Sequence, residues 1–181
     1  IAMSMDQISL LEQQLKQIEA QITTQLGQVP YSPILLSMKG IREITAAGLI
    51  AEVVDFRDYS TISEITKLAG LNLYEISSGK HKGKRSISKR GRPLLRKILF
   101  FASLNMVRKG GLFHEDYQRY LANGMKKMQA LTAIAKKLLR TIFAMVRNNQ
   151  NYILFSCNTA QSKTSTAWPF TIFSTITEFN S

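Results

Sequence analysis

The residue types best suited to chemistry stand together at Glu75-Ile76-Ser77-Ser78-Gly79-Lys80-His81-Lys82-Gly83-Lys84-Arg85, a serine pair on a glycine-flanked stretch just ahead of a basic run. A serine hydroxyl can attack phosphorus in line, and lysine and arginine neutralise charge on the equatorial phosphoryl oxygens. A polar linker has the same composition, so on these residues alone both readings stand. Glu75 and His81 are the neighbours in sequence that could take the hydroxyl proton. Gly79-Lys80 is not a phosphate-binding loop, because the glycine that G-x-x-x-x-G-K requires five residues earlier is Tyr74.

Metal chemistry finds less support. The acidic residues fall mainly in the first 64 positions, with no HExxH or paired-aspartate motif. Glu52, Asp55 and Asp58 recur every three residues but read as a solvated helix end. His114-Glu115-Asp116 reads as the acidic first turn of a helix, where negative charge complements the dipole. No metal ligand is assigned. One cysteine, Cys157, and two histidines, His81 and His114, cannot build a disulfide framework or a four-ligand zinc site, and the chain is compatible with a reducing cytoplasm.

The charge balance says what kind of partner to expect. Lys and Arg number 24 against 12 Asp and Glu, a net charge of +12, with an isoelectric point near 10.0. Such an excess fits a polyanion, whether DNA, RNA or an acidic membrane surface. It is concentrated: residues 1–75 carry 5 basic and 9 acidic side chains, residues 76–114 carry 11 and 0, and residues 115–181 carry 8 and 3. Residues 80–97 alone hold 9 of those 11, and Gly83, Gly91 and Pro93 argue that the first half of that run is loop.

The elements that must position these groups are helical. With 181 residues, 45% hydrophobic and 20% charged, the chain has the make-up of one globular domain. Residues 4–28 place Ile8, Leu11, Leu15, Ile18 and Ile22 at alternating spacings of three and four, a heptad seam. Ser4 with Gln7 reads as a capping box, and Gly27 with Pro30 as the stop. The seam serves either as a coiled-coil arm or as an ordinary helix face packed on its own domain. Further helices are expected over 44–54, 61–68, 93–109, 113–122 and 125–147. The 93–109 helix is apolar around most of its circumference and should be buried. In the last helix Met128, Leu131, Ala135, Leu138, Ile142 and Met145 should form the buried face. A tight turn at Lys39-Gly40-Ile41 precedes the two short helices 44–54 and 61–68; the ensemble resembles a helix-hairpin-helix, whose backbone N–H groups meet a DNA phosphate, although Arg42 stands where a second glycine is expected.

After Tyr152 the style changes, and 11 of the 26 residues from 156 to 181 are Ser or Thr. Residues 153–181 read as an irregular tail foreign to the domain, a read-through product, or else as a segment that docks Trp168 and Phe170. The chain opens on Ile, which suggests a true start upstream. The longest apolar stretch, 98–107, is interrupted by Ser103 and Asn105 and falls short of the roughly 20 residues a membrane span needs.

Three ordered motifs then carry a resemblance. They are Ala69-Gly70-Leu71 followed by Ser78-Gly79, Ile87-Ser88-Lys89-Arg90-Gly91 followed by Leu95-Arg96, and the Ala-x-x-x-Ala-x-Lys-x-Leu character of residues 124–147. Over residues 35–152 the chain resembles the C-terminal domain of the insertion-sequence one-ten transposases, also called the one-sixteen and nine-oh-two type. With the helices read above, the chain is expected to be all-α in three parts: a coiled-coil linker helix over 1–30, a compact serine-bearing, DNA-binding domain over 35–152 with a helix-hairpin-helix-like element, and the tail 153–181, which departs from the family. The resemblance implies a DNA recombinase whose other half, a RuvC-like nuclease fold with acidic ligands for magnesium, is not in this sequence. By motif the nucleophile is Ser78, with Ser77 the runner-up. Lys80, Lys82, Arg85, Lys89, Arg90 and Arg96, with Gly40 and Arg42 of the turn, are expected on backbone phosphates. Lys39 and Arg42 replace the Pro and second Gly of the family's Pro-Gly-Ile-Gly turn. Expected partners are DNA, a guide RNA and a second copy through residues 4–28, in the cytoplasm on the nucleoid and without a membrane. The competing reading is a stand-alone or relic nucleic-acid-binding helical module without catalysis.

Overall fold

The computed structural model describes residues 2–75 and 85–152. Its first element, α1 (Ala2–Gly27), is built from Gln, Glu, Leu, Ile and Lys with little to interrupt them, and at about 1.5 Å per residue it runs about 39 Å. It ends at Gly27 as the Gly27/Pro30 punctuation anticipates. Its start lies earlier than expected: Ser4 falls inside the helix and caps nothing. Among the described side chains of α1, Leu26 reaches the core, while Ile8, Leu11, Leu15 and Ile18 are 52–63% exposed.

Two short segments follow that the periodicity did not reveal. The five-residue α2 (Ser32–Leu36) carries Pro33 in its first turn, and a 3-10 turn spans Phe56–Asp58. Between α2 and α3 (Glu43–Val53) lies the Lys39-Gly40-Ile41 turn, with Gly40 at φ +107°, a conformation that L side chains rarely adopt. The turn thus joins α2 to α3. The expected pair, α3 and α4 (Ile62–Leu68), is joined instead through the 3-10 turn.

Helix α5 (Pro93–Met106) opens with Pro at its first turn, as Pro suits a position whose N–H would have no partner. Helix α6 (His114–Ala122) opens on Glu115 and Asp116, and α7 is Lys127–Arg147. Helix α7 is the axis of the fold: α5, α6, α2, α4 and the 3-10 turn pack on it, and α3 packs on α5. Ile134, Leu138, Leu139 and Ile142 of α7 are fully buried with Leu95 and Leu99 of α5, each contributing about 1.5–3 kcal/mol by burial. The core takes in Leu26, Tyr31 and Ile34 ahead of Leu35, and at the other end Tyr152 packs against it, its N–H donating to Ser37 Oγ at 2.8 Å.

Two burial expectations fail. Helix α5 buries one face only, leaving Leu94 and Phe101 52% and 53% exposed, and Met128 of α7 is 61% exposed. Both helices have more apolar surface than the described neighbours cover. Between α4 and α5 the chain also makes a strand pair absent from an all-helical reading. Strands β1 (Leu73–Glu75) and β2 (Arg85–Ile87) are antiparallel, with Leu73 opposite Ile87, Tyr74 opposite Ser86 and Glu75 opposite Arg85. The fold remains mostly helical.

Candidate nucleic-acid interface

The interface is built from the root of this ribbon. Helix α4 ends in a glycine cap: Gly70 takes φ +65°, its N–H donates to Lys67 O, and the Leu71 N–H reaches back to Thr66 O at 3.0 Å. The returning strand is tied to this cap by three backbone hydrogen bonds. Ser88 N–H donates to Asn72 O at 2.7 Å, Lys89 N–H to Gly70 O at 3.0 Å, and Arg92 N–H to Leu68 O at 2.7 Å. Gly91, at φ +148°, lies so close to the cap that a Cβ there would stand 2.3 Å from Leu68 O.

Arg96 closes the knot. Its Nη1 donates to Ala69 O at 3.1 Å and to Lys89 O at 3.3 Å, one carbonyl from each side of the root. Lys89, Arg90, Arg92 and Lys97 surround the knot with their side chains exposed. Glu52 reaches Arg92 only at 4.0 Å. Lys89 itself is held at φ +54°.

Of the sequence-predicted residues, Lys89, Arg90 and Arg96 are therefore brought together at the N-terminal end of α5. Gly40 and Arg42 are not with them. Gly40 packs against Met106 at the other end of α5, Gly48 against Ile98 in its middle, and Glu52 faces Arg92, so α3 runs antiparallel along α5. The Gly40 turn and the ribbon root are thus separated by about 20 Å, the length of a 14-residue helix. Arg42 is exposed at the N-cap of α3, whose first turn also carries Glu43. Arg85 is placed by its backbone in β2, opposite Glu75. Ser77, Ser78, Lys80 and Lys82 lie outside the described residues, as does the tail 153–181.

Beside the root is a groove of about 320 Å³ that the sequence reading missed. Leu71 and Ile87 at the ribbon's foot, Phe100 of α5 and Met128 of α7 give it apolar surface, and Arg96 and Lys97 supply the cations of its wall. The signal was available: an α5 apolar all round, next to a basic run, has a face left over once one side is buried. On α7 one turn beyond Thr132, which also lines the groove, Lys136 and Arg140 repeat the positive charge. Burial, with Arg140 adding to it, pulls the Lys136 ammonium below its ordinary range.

A second cavity, about 520 Å³, lies at the far end of α7 between Tyr31, Arg57, Tyr59 and Arg147. Here the polar groups are paired. Tyr31 and Tyr59 donate their hydroxyls to Val54 O at 2.9 Å and Val53 O at 3.2 Å, satisfying the end of α3. Arg57 lies 5.4 Å over the Tyr31 ring and binds Asp55 at 2.7 Å, holding that carboxyl below the usual range. Arg147 Nη1 donates to Ser60 O at 2.5 Å. Burial pushes the Tyr31 hydroxyl up to about 12.

No helix among the described residues is long and apolar enough to cross a membrane. No three His, Cys, Asp or Glu side chains among them converge as metal ligands would.

The fold and this surface define a mostly helical, strongly basic domain that displays a pinned β-ribbon, with no acidic side chain from 76 to 114. Residues 32–118 match the model of the Transposase IS116/IS110/IS902 family, and over about 80% of its length the chain is similar to insertion-element proteins of that type. It is 29% identical over 145 residues to the insertion element IS110 uncharacterized 43.6 kDa protein of Streptomyces coelicolor, covering 80% of this chain and 36% of that protein. It is 26% identical over 150 residues to a probable family 20 transposase of Pseudomonas aeruginosa, covering 81% and 44%. With the insertion element IS116 uncharacterized 44.8 kDa protein of Streptomyces clavuligerus it shares 22% over 144 residues, covering 80% and 36%. The chain thus spans well under half the length of these relatives.

Proposed function

We propose that the chain is the DNA-binding, serine-bearing C-terminal part of an insertion-element transposase, working on nucleoid DNA in the cytoplasm. The observation that carries the reading is the register of the ribbon. Glu75 and Arg85 are register partners in the ribbon, whose root carries the exposed side chains of Lys89, Arg90, Arg92 and Lys97, and Ser77 and Ser78 follow Glu75 in the sequence. Such cations hold a phosphodiester and offset charge at phosphorus.

In the step this assigns to Ser78, with Ser77 as the runner-up, the hydroxyl oxygen bonds to a DNA phosphorus. The serine proton passes, by way of solvent or a neighbouring base, to the ester oxygen that leaves as a strand hydroxyl, and a phosphoserine ester retains the bond energy for rejoining. Arg96 acts here chiefly as a positioning group, since its Nη1 is engaged by two backbone carbonyls. The Gly40–Arg42 turn adds a second phosphate contact about 20 Å away, roughly six base steps at 3.4 Å per strand.

Magnesium belongs, on this reading, to the acidic nuclease part that the family resemblance implies. The described residues offer it no ligand set. The exposed α1 seam is assigned to pairing with a second copy, and a guide RNA is a further polyanion for the same basic surface.

The test supplies the chain with element-end DNA and the nuclease part. A denaturant-stable protein–DNA species is expected, and Ser78→Ala abolishes it. Persistence of the species in that variant moves the role to Ser77. Steeply salt-dependent binding with no such species in any form leaves a nucleic-acid-binding module without catalysis.

A further inference from the structure

We infer that the groove at the foot of the ribbon is a stacking site for one unpaired nucleobase of the bound nucleic acid, with Phe100 as its platform. The inference rests on the nucleic-acid-binding reading and deepens it by naming what part of the ligand enters the protein.

Phe100 is half-buried, yet it is not among the partly buried side chains packed against the core. Its ring contact is Phe101, edge-on at 5.8 Å. Met128, which also lines the groove, is 61% exposed. The groove is therefore an apolar cleft that the described residues leave unfilled. At about 320 Å³ it sits at the small end of the range for ligand pockets, roughly 300–1,000 Å³, which suits a single planar group.

Charge decides the occupant. Lys97 and Arg96 stand on the wall, Lys136 and Arg140 continue the positive surface along α7, and no carboxylate lines the groove among the described residues. The ribbon residue Ile87 belongs to the groove, and Lys89 and Arg90, both exposed, follow it in the chain. A flat apolar group carried on an anionic chain meets both requirements, and a nucleotide is such a group. A paired duplex keeps its base faces stacked inside, so the occupant is a base already unstacked from its neighbours. Aromatics interleaved with lysine and arginine are the arrangement by which single strands are held without reading sequence.

The experiment uses the full chain, an oligonucleotide with one central 2-aminopurine, and its duplex form. Phe100→Leu keeps apolar volume while removing the ring, and Met128→Ala trims an exposed side chain without risk to the core. Wild type is expected to bind the single strand with a change in 2-aminopurine emission. Phe100→Leu should weaken that binding roughly 5- to 100-fold, and Met128→Ala by less. Duplex affinity and its salt slope should be unchanged in both variants. Equal losses on single strand and duplex, or no loss on either, overturn the stacking site while leaving nucleic-acid binding intact. Absence of binding to any nucleic acid overturns both readings, and equal competition by polyglutamate overturns the choice of occupant.

Discussion

The two cavities along α7 are made of similar residue types and are opposite in availability. Around Tyr31, arginines and aromatic rings meet, but Asp55 takes Arg57 and the Ser60 carbonyl takes Arg147. Around Phe100, arginine, lysine and an aromatic ring meet again, but among the described residues the protein acceptors on Arg96 are two backbone carbonyls and Lys97 has no carboxylate partner. The difference follows the sequence: the first cavity draws on the acid-rich first 75 residues, the second on the stretch from 76 to 114 that has no acid at all. Residue type alone does not make a polyanion surface. What leaves a cation available is the lack of an internal carboxylate.

The largest expected effect comes from breaking the root of the open side. Gly91→Ala places a methyl 2.3 Å from Leu68 O in a backbone conformation, φ +148°, that only glycine adopts readily. We expect a loss of about 3 kcal/mol, or roughly 10 °C in Tm for a domain of this size, with nucleic-acid binding lost in step with the ribbon. A thermal melt monitored by circular dichroism, beside a binding titration below the transition, checks both. An unshifted melt would mean that the cap and the returning strand are not locked as described.

This pairing of two sequence-distant glycines shows what could be read in advance. Helices α3 to α7 were legible because their apolar periodicity and their Pro, Gly and acidic terminal signals agree. The ribbon was not, since Leu73-Tyr74-Glu75 and Arg85-Ser86-Ile87 are three residues each, too short for alternation to register against the basic composition around them. The basic cluster was visible as a run of letters. That Arg96 would turn inward onto Ala69 and Lys89, while Arg90 and Lys97 stayed outside, depends on contacts 7 and 27 residues apart. Met128 fitted the buried face of α7 by spacing, and is exposed because α7 extends beyond the neighbours that cover its middle. Ser78 remains a reading of motif.

Next in size is the closed cavity's response to alkali. With the Tyr31 hydroxyl raised from 10.0 to about 12 by burial, the folded state holds its proton more tightly than the unfolded chain. The associated stability is fully present below pH 10 and is lost as pH rises through 12, about 2 kcal/mol across that window. Tyr31→Phe should lower stability at neutral pH by about 1 kcal/mol, for the lost bond to Val54 O, and flatten the alkaline decline. Urea titrations at pH 8 and pH 11 measure the difference. Equal pH sensitivity in both forms would show that the tyrosine is not the group involved.

The smallest effect is the one that converts one cavity toward the other. In Asp55→Asn the side-chain oxygen can still accept from the Arg57 N–H, now 2.8 Å from Asp55 Oδ1, so the 3-10 turn is expected to hold. What disappears is the charge that engages the Arg57 guanidinium through Nε and Nη2. Arg57 then becomes a cation of the same standing as Lys97. If acid-free surroundings are what make a polyanion surface, the variant gains about one phosphate contact, and the slope of log affinity against log salt steepens by about 1. Duplex binding measured from 50 to 200 mM salt reads this directly. An unchanged slope would mean that position on the molecule, rather than freedom from internal pairing, decides which arginines meet nucleic acid, and the ribbon root would then owe its role to its place at the end of α5.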